Sequence, residues 1–405
     1  MSILDIPADH PATSVSTAME ANRSGMTALQ HGDNRAATHY FARACVLDPQ
    51  EGALWRNLAT AYRNLGDDEG ERQALDGALD RDRTDFMAWL RKAQLHERRG
   101  EKGDALQAWR GVTQMAVHID PLPEGLVPVI EHGRNYVNKL GSELATEVER
   151  TVGADVAAMG ERDQRRMRAF IDAAAGKRRI YQNECAGLCY PFLPADEFFD
   201  DSHFPWFADL AKHTDAIREE LLALLANQGK AIRPYVRMEQ GTPDNKWSKL
   251  DHSLDWGASF LWEYGEPNES VLSQCPVTKA ALEAVPRAGI PGRAPSAFFS
   301  LLKPHTHIPP HTGVSNTRAI IHLPLIVPEN CGFRVGGETR QWVEGRPFAF
   351  DDTIEHEAWN NSDELRAVLI FDVWNPHLSS AEQEMIARFY QATDAAGLNT
   401  EPHGV

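Results

Sequence analysis

The stretch FDDTIEHEAW at residues 350–359 is followed closely by the apolar run RAVLIF at residues 366–371. A second polar stretch, HTHIPPHTG, occupies residues 305–313. These stretches contain His356 and His311, and Arg366 opens the apolar run. Short apolar or β-branched runs between turn-forming residues are typical of β-strands. We therefore expect two histidines on facing strands, with an arginine one strand further on.

The chain around these stretches, from about residue 186 onward, has the same strand-like character. Eight candidate strands lie at about 232–239, 258–264, 297–302, 318–326, 332–335, 339–343, 347–350 and 365–374. Eight short strands separated by Gly, Pro and Asn predict a double-sheet jelly roll of the cupin type. A helix over about 215–227 would pack outside it. In this frame His311 lies at a turn after strand 297–302, and His356 lies just before the strand near residue 365.

The residue types at this site favour iron. Imidazoles and carboxylates suit a redox-active iron that keeps open positions for other ligands. The usual first motif is His-x-Asp or His-x-Glu, but Gly313 stands two residues after His311. Two protein ligands for the iron therefore remain, unless the carboxylate of Asp352 or Glu355 also binds it. The planar guanidinium of Arg366 suits a dicarboxylate cosubstrate better than a lysine would.

Three motifs in this region together resemble the aspartyl/asparaginyl β-hydroxylases. They are HTGVSNTRAIIHL at 311–323, FDDTIEHEAW at 350–359, and Arg366 with FDVWNP at 371–376. The resemblance covers about residues 186–395. It implies a double-stranded β-helix domain with an N-terminal helical repeat, because such repeats also occur ahead of the oxygenase domain in this family.

The resemblance also implies the role of each site residue. Iron(II) is held by His311 and His356 alone, which accounts for Gly313, and Asp352 orients metal-bound water. Arg366 pairs with the distal carboxylate of 2-oxoglutarate. Further cosubstrate contacts are expected at His322, Ser300 and Arg318. Ile320 stands where family members often carry a second arginine, so the geometry of cosubstrate or substrate binding differs there.

The implied activity is that of an Fe(II)/2-oxoglutarate-dependent dioxygenase. With O2 as co-reactant, it would hydroxylate an unactivated carbon and release succinate and CO2. The expected target is the β-carbon of Asp or Asn in a peptide, a protein or an amino-acid derivative. Two alternatives stay open: a halogenase that uses the vacant iron position, and a repeat–cupin scaffold without catalytic activity.

The first part of the chain has a repeat. Gly32, Gly66 and Gly100 are spaced by 34 residues, and large apolar residues and alanines follow the same period. This pattern resembles the tetratricopeptide repeat, a pair of packed amphipathic helices. The predicted class is thus α+β, an all-α solenoid followed by a jelly roll. The predicted segments are a flexible N-terminus (1–16), three repeat units (17–116), a helical linker (117–185), the oxygenase domain (186–395) and a tail (396–405).

Composition excludes several classes of protein. A formal net charge of −17 disfavours a nucleic-acid binder, which needs clustered Lys and Arg. The five cysteines predict neither a disulfide framework nor a zinc site. No secretory signal and no apolar run of about 20 residues is visible, so we expect a cytoplasmic protein that does not bind a membrane. The expected partner is a peptide, protein or amino-acid substrate, and one open alternative is that the helical repeats present it.

Overall fold

The computed structural model describes residues 3–226 and 231–398. The chain forms two compact units, Met1–Lys177 and Arg178–Val405. The second unit thus begins a little before residue 186, where the sequence analysis starts the sheet domain. Parts of the predicted N-terminus, of the helix 215–227 and of the tail lie outside the described residues.

Six helices of similar length follow one another in the first unit. They are Ala18–Gln30 (α1), Asn34–Leu47 (α2), Gly52–Leu65 (α3), Asp68–Arg81 (α4), Phe86–Arg98 (α5) and Lys102–Ala116 (α6). Short turns join them, and the turns within the three pairs contain Gly32, Gly66 and Gly100, whose φ angles are +77°, +70° and +72°. Glycine adopts this left-handed conformation without steric cost. The predicted repeat of helix pairs is confirmed.

The helix starts follow the same period as the glycines. The side chains of Thr17, Glu51 and Asp85 each accept a backbone N–H at the start of α1, α3 and α5. Asp33 and Asp67 do the same for α2 and α4. Such side chains satisfy N–H groups that have no partner within the helix. The sequence therefore sets locally the starts of five of these helices and, through the glycines, the ends of three.

Aromatic rings pack directly on helical glycines in this unit. A Cβ built on any of these glycines would lie 2.2–2.6 Å from the nearest ring carbon. The pairs are Phe41 on Gly25, Tyr62 on Gly70, Trp55 on Gly77 and Trp109 on Gly133. Real side chains do not approach so closely, so the missing Cβ atoms are what let these helices pack at this separation.

The segment before α1 packs on the repeats. Ile3, Ile6 and Val15 are partly buried against the core of the first repeats. The Tyr62 hydroxyl donates a hydrogen bond to the backbone oxygen of Ile3 at 3.0 Å. The described part of the segment predicted to be flexible therefore has ordered contacts.

Two further helices complete this unit, Val127–Ala157 (α7) and Glu161–Ala174 (α8). They lie in the region predicted as a helical linker. In the portion of the chain that the structure describes, no helix combines the length and apolar character that crossing a bilayer requires.

The second unit is built on two antiparallel sheets. Its strands are Arg233–Pro234 (β1), Trp256–Glu263 (β2), Glu266–Pro267 (β3), Ala297–Leu302 (β4), Thr306–His311 (β5), Arg318–Ile326 (β6), Cys331–Val335 (β7), Glu338–Arg340 (β8), Phe348–Phe350 (β9), His356–Asn360 (β10) and Arg366–Trp374 (β11). The large sheet has the order β1-β2-β4-β11-β6-β9, with β3 beside β2, and the small sheet has the order β5-β10-β7-β8. Its helices are Phe207–Ala211 (α9), Thr214–Ala226 (α10), Glu269–Leu272 (α11), Pro276–Glu283 (α12) and Ser380–Ala395 (α13).

The prediction missed the two strands that end or begin at the histidines. His311 is the last residue of β5 and His356 the first of β10, whereas a turn and a pre-strand position were expected. Pro309 and Pro310 lie in β5, and two consecutive prolines are more typical of a turn than of a strand. Proline is tolerated in this strand because β5 lies at the edge of the small sheet. The predicted strand 232–239 was also wrong in length, since only the two residues of β1 form ladder pairs.

The central strand β11 shows how the layers are arranged. Ala367, Leu369 and Phe371 belong to a core that includes Leu221 of α10, so one face of the large sheet is covered by helices. Val368 belongs to a second core shared with the small sheet. Successive side chains of a strand point to opposite faces. The residues between the two sheets therefore alternate with the residues under the helices.

Two glycine-to-alanine substitutions test whether the close packing of aromatic rings requires glycine. Gly77→Ala places a methyl group 2.2 Å from the Trp55 ring, and we expect it to lower the free energy of unfolding by about 1–3 kcal/mol. Gly111→Ala, in open space on α6, should raise it by up to about 1 kcal/mol through better helix propensity. Chemical denaturation followed by circular dichroism measures both. Equal effects of the two substitutions would contradict the packing argument.

Candidate functional site

His311 and His356 face each other across the β5–β10 ladder. Their Cα atoms are register partners, and their ring centroids lie 4.0 Å apart. Nδ1 of His311 lies 2.8 Å from the Pro309 carbonyl oxygen, and Nδ1 of His356 lies 3.1 Å from that of Ile354. A carbonyl oxygen can only accept, so each Nδ1 carries the hydrogen and each Nε2 keeps its lone pair. Both rings thus have the tautomer that binds a metal ion through Nε2.

Burial keeps both rings neutral. Loss of solvent around His311 lowers its pKa to about 4. Burial also lowers the pKa of His356 well below its ordinary value, and the nearby His311 lowers it further. A metal ion binds the neutral imidazole, so no proton has to leave at neutral pH.

Asp352 occupies the space that a side chain at position 313 would need. A Cβ on Gly313 would lie 2.1 Å from Oδ2 of Asp352. The Gly313 N–H donates to the Asp352 backbone oxygen at 2.6 Å, which holds the two residues together. The alternative carboxylate, Glu355, instead pairs with Arg334 at 2.9 Å. The carboxylate near the histidines is therefore that of Asp352, which lies in the loop between β9 and β10.

Asp352 is half-buried, and its Oδ1 atom is shielded from solvent and lacks a hydrogen-bond partner within the described residues. Burial raises its pKa to about 7, although Arg318 acts in the opposite direction. An unsatisfied buried oxygen calls for a ligand such as water or an ion. Its neighbour Asp351 has a different role, because Oδ1 of Asp351 accepts hydrogen bonds from the N–H and hydroxyl of Thr353.

Arg366 is a buried cation without an anionic partner. The residue is 1% exposed, and no carboxylate in the described part of the chain pairs with its guanidinium. One terminal nitrogen lies 3.2 Å from the Ser300 hydroxyl, Nε has no partner, and the guanidinium lies 4.8 Å from the Trp342 ring centroid. Burial lowers its pKa to about 10. An uncompensated buried charge is costly, so this site is built for an anion.

Two hydrogen-bond donors accompany this guanidinium. The Trp342 indole N–H donates to Nδ1 of His322 at 3.3 Å, so Nε2 of His322 carries the ring hydrogen. The Trp256 indole N–H donates to the Ser300 oxygen at 3.1 Å, which leaves the Ser300 hydroxyl hydrogen for another acceptor. Both groups can donate to a carboxylate beside Arg366. The two tryptophans orient them, and the sequence analysis did not find these tryptophans because nothing in their local pattern marks them.

One cavity of about 420 Å³ joins these groups. All seven residues singled out from the sequence line it: His311, His356, Asp352, Arg366, His322, Ser300 and Arg318. The donor set fits an iron ion at the histidines and a dicarboxylate at the arginine, because two free Nε2 atoms lie in the same cavity as an unpaired buried guanidinium.

Arg318 lies at a different part of this cavity. It begins β6, four residues and about 13 Å of strand before His322. One terminal nitrogen of Arg318 lies 2.8 Å from the Asp372 carboxylate. The structure therefore does not bring Arg318 to the cosubstrate end, and the charge of its guanidinium is already balanced.

A second group of metal-ligand types lies in the helical unit. Ligand atoms of His96, Glu101 and Asp104 all lie within 4.8 Å of one another. Nδ1 of His96 bonds to Glu101 at 2.6 Å, and Glu101 also pairs with Arg99 at 2.7 Å. His96 and Glu101 are thus already hydrogen-bonded within the protein, so we assign no metal there.

The five cysteines were predicted to form neither a disulfide framework nor a zinc site, and that prediction missed one disulfide. Cys185 and Cys189 form a disulfide on an irregular segment, not on a helix, with their Cα atoms 5.6 Å apart. The bend at residues 186–187 brings the two side chains together, which spacing alone does not reveal. The other three cysteines are buried and unpaired, as expected for structural residues: Cys45, Cys275 and Cys331.

The disulfide segment crosses both loops that carry the site. Its backbone N–H groups donate to carbonyl oxygens of these loops: Glu184 to Thr353 (2.7 Å), Ala186 to Gly313 (2.9 Å) and Gly187 to Val314 (2.8 Å). The segment thereby ties the loop after His311 to the loop before His356.

The contact between Gly313 and Asp352 generates a test of the metal site. Gly313→Asp restores the usual His-x-Asp pattern in sequence, but its side chain meets the Asp352 carboxylate. We expect affinity for Mn(II), measured by calorimetry as a stand-in for Fe(II), to fall by roughly 10–100-fold. The double variant Gly313→Asp with Asp352→Gly should recover most of it. Tighter binding by the single variant would show that the space is free.

The part of the chain that contains this site is similar to known proteins. The family model for aspartyl/asparaginyl beta-hydroxylase matches residues 211–376. The chain is 35% identical to the ornithine lipid ester-linked acyl 2-hydroxylase of Rhizobium tropici over 201 residues, which is 49% of this chain and 67% of that protein. It is 34% identical to the aspartyl/asparaginyl beta-hydroxylase of Mus musculus over 41% of this chain and 23% of the relative.

The chain thus spans two thirds of the first relative's length and about a quarter of the second's. Among solved structures, the helical unit is similar to the Arabidopsis OM64 TPR domain, with 17% identity and a TM-score of 0.27 over 30% of this chain. The family match contains both histidines and Arg366, together with the strands that position them. The chain belongs to the aspartyl/asparaginyl beta-hydroxylase family.

Proposed function

We propose that the protein is an Fe(II)/2-oxoglutarate-dependent dioxygenase that hydroxylates an unactivated carbon. The observation that carries this proposal is one cavity that contains two imidazoles with free Nε2 atoms and a buried guanidinium without a counterion. His311 and His356 would hold the iron, and Arg366 would hold the far carboxylate of 2-oxoglutarate. Under this proposal the two sheets form the double-stranded β-helix of such oxygenases.

Iron supplies the activation of O2 in this chemistry. One oxygen atom enters a C–H bond of the substrate, and the other enters the carboxylate of succinate. 2-Oxoglutarate provides two electrons and loses CO2. The side chains bind, orient and exclude water, as expected where a cofactor carries the reaction.

The cosubstrate end would be held by three groups with different functions. Arg366 donates charge-assisted hydrogen bonds to the far carboxylate, and the Ser300 hydroxyl and the His322 Nε2–H are donors beside it. Trp256 and Trp342 fix the orientation of these donors through their own N–H groups. Burial excludes competing water, which strengthens each of these interactions.

Asp352 would position water or substrate at the metal without being an obligatory ligand. Its carboxylate stands in the space beside Gly313, and Oδ1 is available as an acceptor. This arrangement also disfavours the halogenase alternative, because the Asp352 carboxyl group already occupies the space beside Gly313 that chloride would need. The intact set of histidines and Arg366 disfavours a scaffold without activity.

The names of two relatives indicate which classes of substrate to consider. Two named relatives act on an aspartyl/asparaginyl β-position and on an ester-linked acyl group. Both names describe hydroxylation of a carbon atom. A peptide or protein substrate presented by the helical repeats is one form of this proposal, and the repeats would then contribute to binding without touching the iron.

Loss of either histidine should abolish the reaction. We expect His311→Ala and His356→Ala to reduce succinate formation by more than the roughly 100-fold that loss of a supporting residue costs at metal sites. His305→Ala is the matched control, because that histidine is exposed and pairs with Asp363. Succinate formed with and without Fe(II) is measured by mass spectrometry. Full turnover in both site variants would remove the proposal.

The substitution Arg366→Met should change cosubstrate binding and protein stability in opposite directions. We expect the dissociation constant for 2-oxoglutarate to rise about 10–100-fold, since a charge-assisted interaction is lost. The melting temperature without cosubstrate should rise, because an uncompensated buried charge is replaced by an apolar side chain.

Arg388→Met is the control for this prediction, since Arg388 is exposed on α13 and pairs with Glu384. It should change neither quantity. A lower melting temperature for Arg366→Met would mean that an anionic partner already compensates Arg366 in the protein without cosubstrate.

A further inference from the structure

The disulfide segment, residues 183–190, is bonded to the loops of the site at its start, its middle and its end. These residues form no helix and no strand. At the start, the Asn183 side-chain amide donates to the Thr353 hydroxyl at 3.0 Å. At the end, the backbone N–H and oxygen of Tyr190 both bond to the Asn316 side-chain amide, at 2.7 and 2.9 Å. The segment therefore runs from the loop before the second histidine to the loop after the first.

The disulfide encloses the contact in the middle of this segment. Cys185 and Cys189 flank the bend at residues 186–187. The two N–H groups of the bend donate to backbone oxygens of the loop after His311, at 2.9 and 2.8 Å. Ala186 also lines the cavity. Because a crosslink restricts the conformations of the chain that it closes, the disulfide helps to keep both donors aimed at this loop.

Hydrogen bonds continue from the segment to the carboxyl group of the site. Gly313 accepts from the Ala186 N–H at 2.9 Å, and its own N–H donates to the Asp352 backbone oxygen at 2.6 Å. On the other side of Asp352, the Thr353 oxygen accepts from the Glu184 N–H at 2.7 Å. The position of Asp352 therefore depends on the segment from both directions. Groups that orient a metal site typically contribute roughly 10–100-fold to metal affinity.

The disulfide is accessible to thiols in solution. Cys189 is exposed and Cys185 is half-buried, whereas the three unpaired cysteines are buried. A thiolate breaks a disulfide by attacking one of its sulfur atoms, so access helps to decide which disulfides exchange. Once the S–S bond is broken, no helix or strand holds residues 183–190 in place. Their conformation would then depend on the hydrogen bonds to the two loops alone.

From these contacts we propose that Cys185 and Cys189 form a redox site that controls metal binding at the two histidines. In the oxidised form the disulfide segment fixes both loops. In the reduced form the segment is released and the metal ion is bound more weakly. Reduction breaks the S–S bond, each sulfur gains one electron and one proton, and a dithiol reductant is oxidised to its own disulfide. The inference rests on the proposed function only for the identity of the metal ion as iron.

The closing experiment compares metal binding in the two redox states of the full-length protein. The protein is reduced with dithiothreitol, freed of reductant in the absence of oxygen, and titrated with Mn(II) by calorimetry. Reduction should raise the dissociation constant for Mn(II) by roughly 10–100-fold, and reoxidation should restore it. Equal constants in the two states, with thiol titration confirming the reduction, overturn the proposal.

Cysteine variants test whether this pair causes the effect. The double variant Cys185→Ser with Cys189→Ser should have the raised constant whether or not it has been treated with reductant. The control Cys45→Ala, which removes a buried thiol of the helical unit, should respond to reductant as the wild-type protein does. A double variant that still responds overturns the proposal, because other cysteines then cause the response. Reduction of the wild-type protein is a separate measurement that does not depend on how the double variant folds.

Amide hydrogen exchange tests the contact between the segment and the loops without any metal. In the metal-free protein, peptides that cover residues 183–190 should exchange about tenfold faster after reduction, as expected when the stabilisation from one hydrogen bond is lost. Peptides from α4 should exchange at the same rate in both states. Unchanged exchange in residues 183–190 overturns the proposal. Succinate formation with Fe(II) is measured separately, so absent turnover with an intact redox effect on Mn(II) binding contradicts only the dioxygenase proposal.

Discussion

The pairing of β5 with β10 is the constraint on which the rest of the site depends. Their register sets His311 opposite His356, with the two rings 4.0 Å apart. Backbone carbonyls two residues before each histidine then fix both tautomers. Because β5 is an edge strand, it accommodates the two prolines that precede His311 without breaking a central ladder. A shift of register by one residue would turn one imidazole away from the other.

Around this pair the protein keeps several polar groups buried without internal partners. Arg366 has no carboxylate beside it in the described chain, and one oxygen of Asp352 accepts no hydrogen bond there. Such groups lower stability unless a ligand completes them. Functional sites are where proteins accept this cost.

The fold could be predicted from the sequence in most of its elements, for physical reasons that differ between the two units. In the helical unit, a 34-residue period of glycines and apolar residues is a local signal, since each repeat contacts mainly its neighbours. In the sheet unit, Ala297–Leu302 and Arg318–Ile326 were predicted with the observed bounds, because both are long apolar runs. Strands β5 and β10 were missed, because prolines and the histidines themselves interrupt the pattern of β-propensity there.

The sequence by itself determined which chemistry the site can carry: the two histidines, the glycine that replaces a carboxylate, the arginine and the repeat ahead of them. Only the tertiary structure decided how these groups are completed. It placed the Asp352 carboxylate in the space beside Gly313, paired Arg318 with Asp372, joined Cys185 to Cys189, and oriented His322 and Ser300 through two tryptophans. These outcomes depend on contacts between side chains whose meeting is set by strand register and by bends in irregular segments. Local periodicity and propensity report the identity and direction of a side chain, but not the neighbour that it meets.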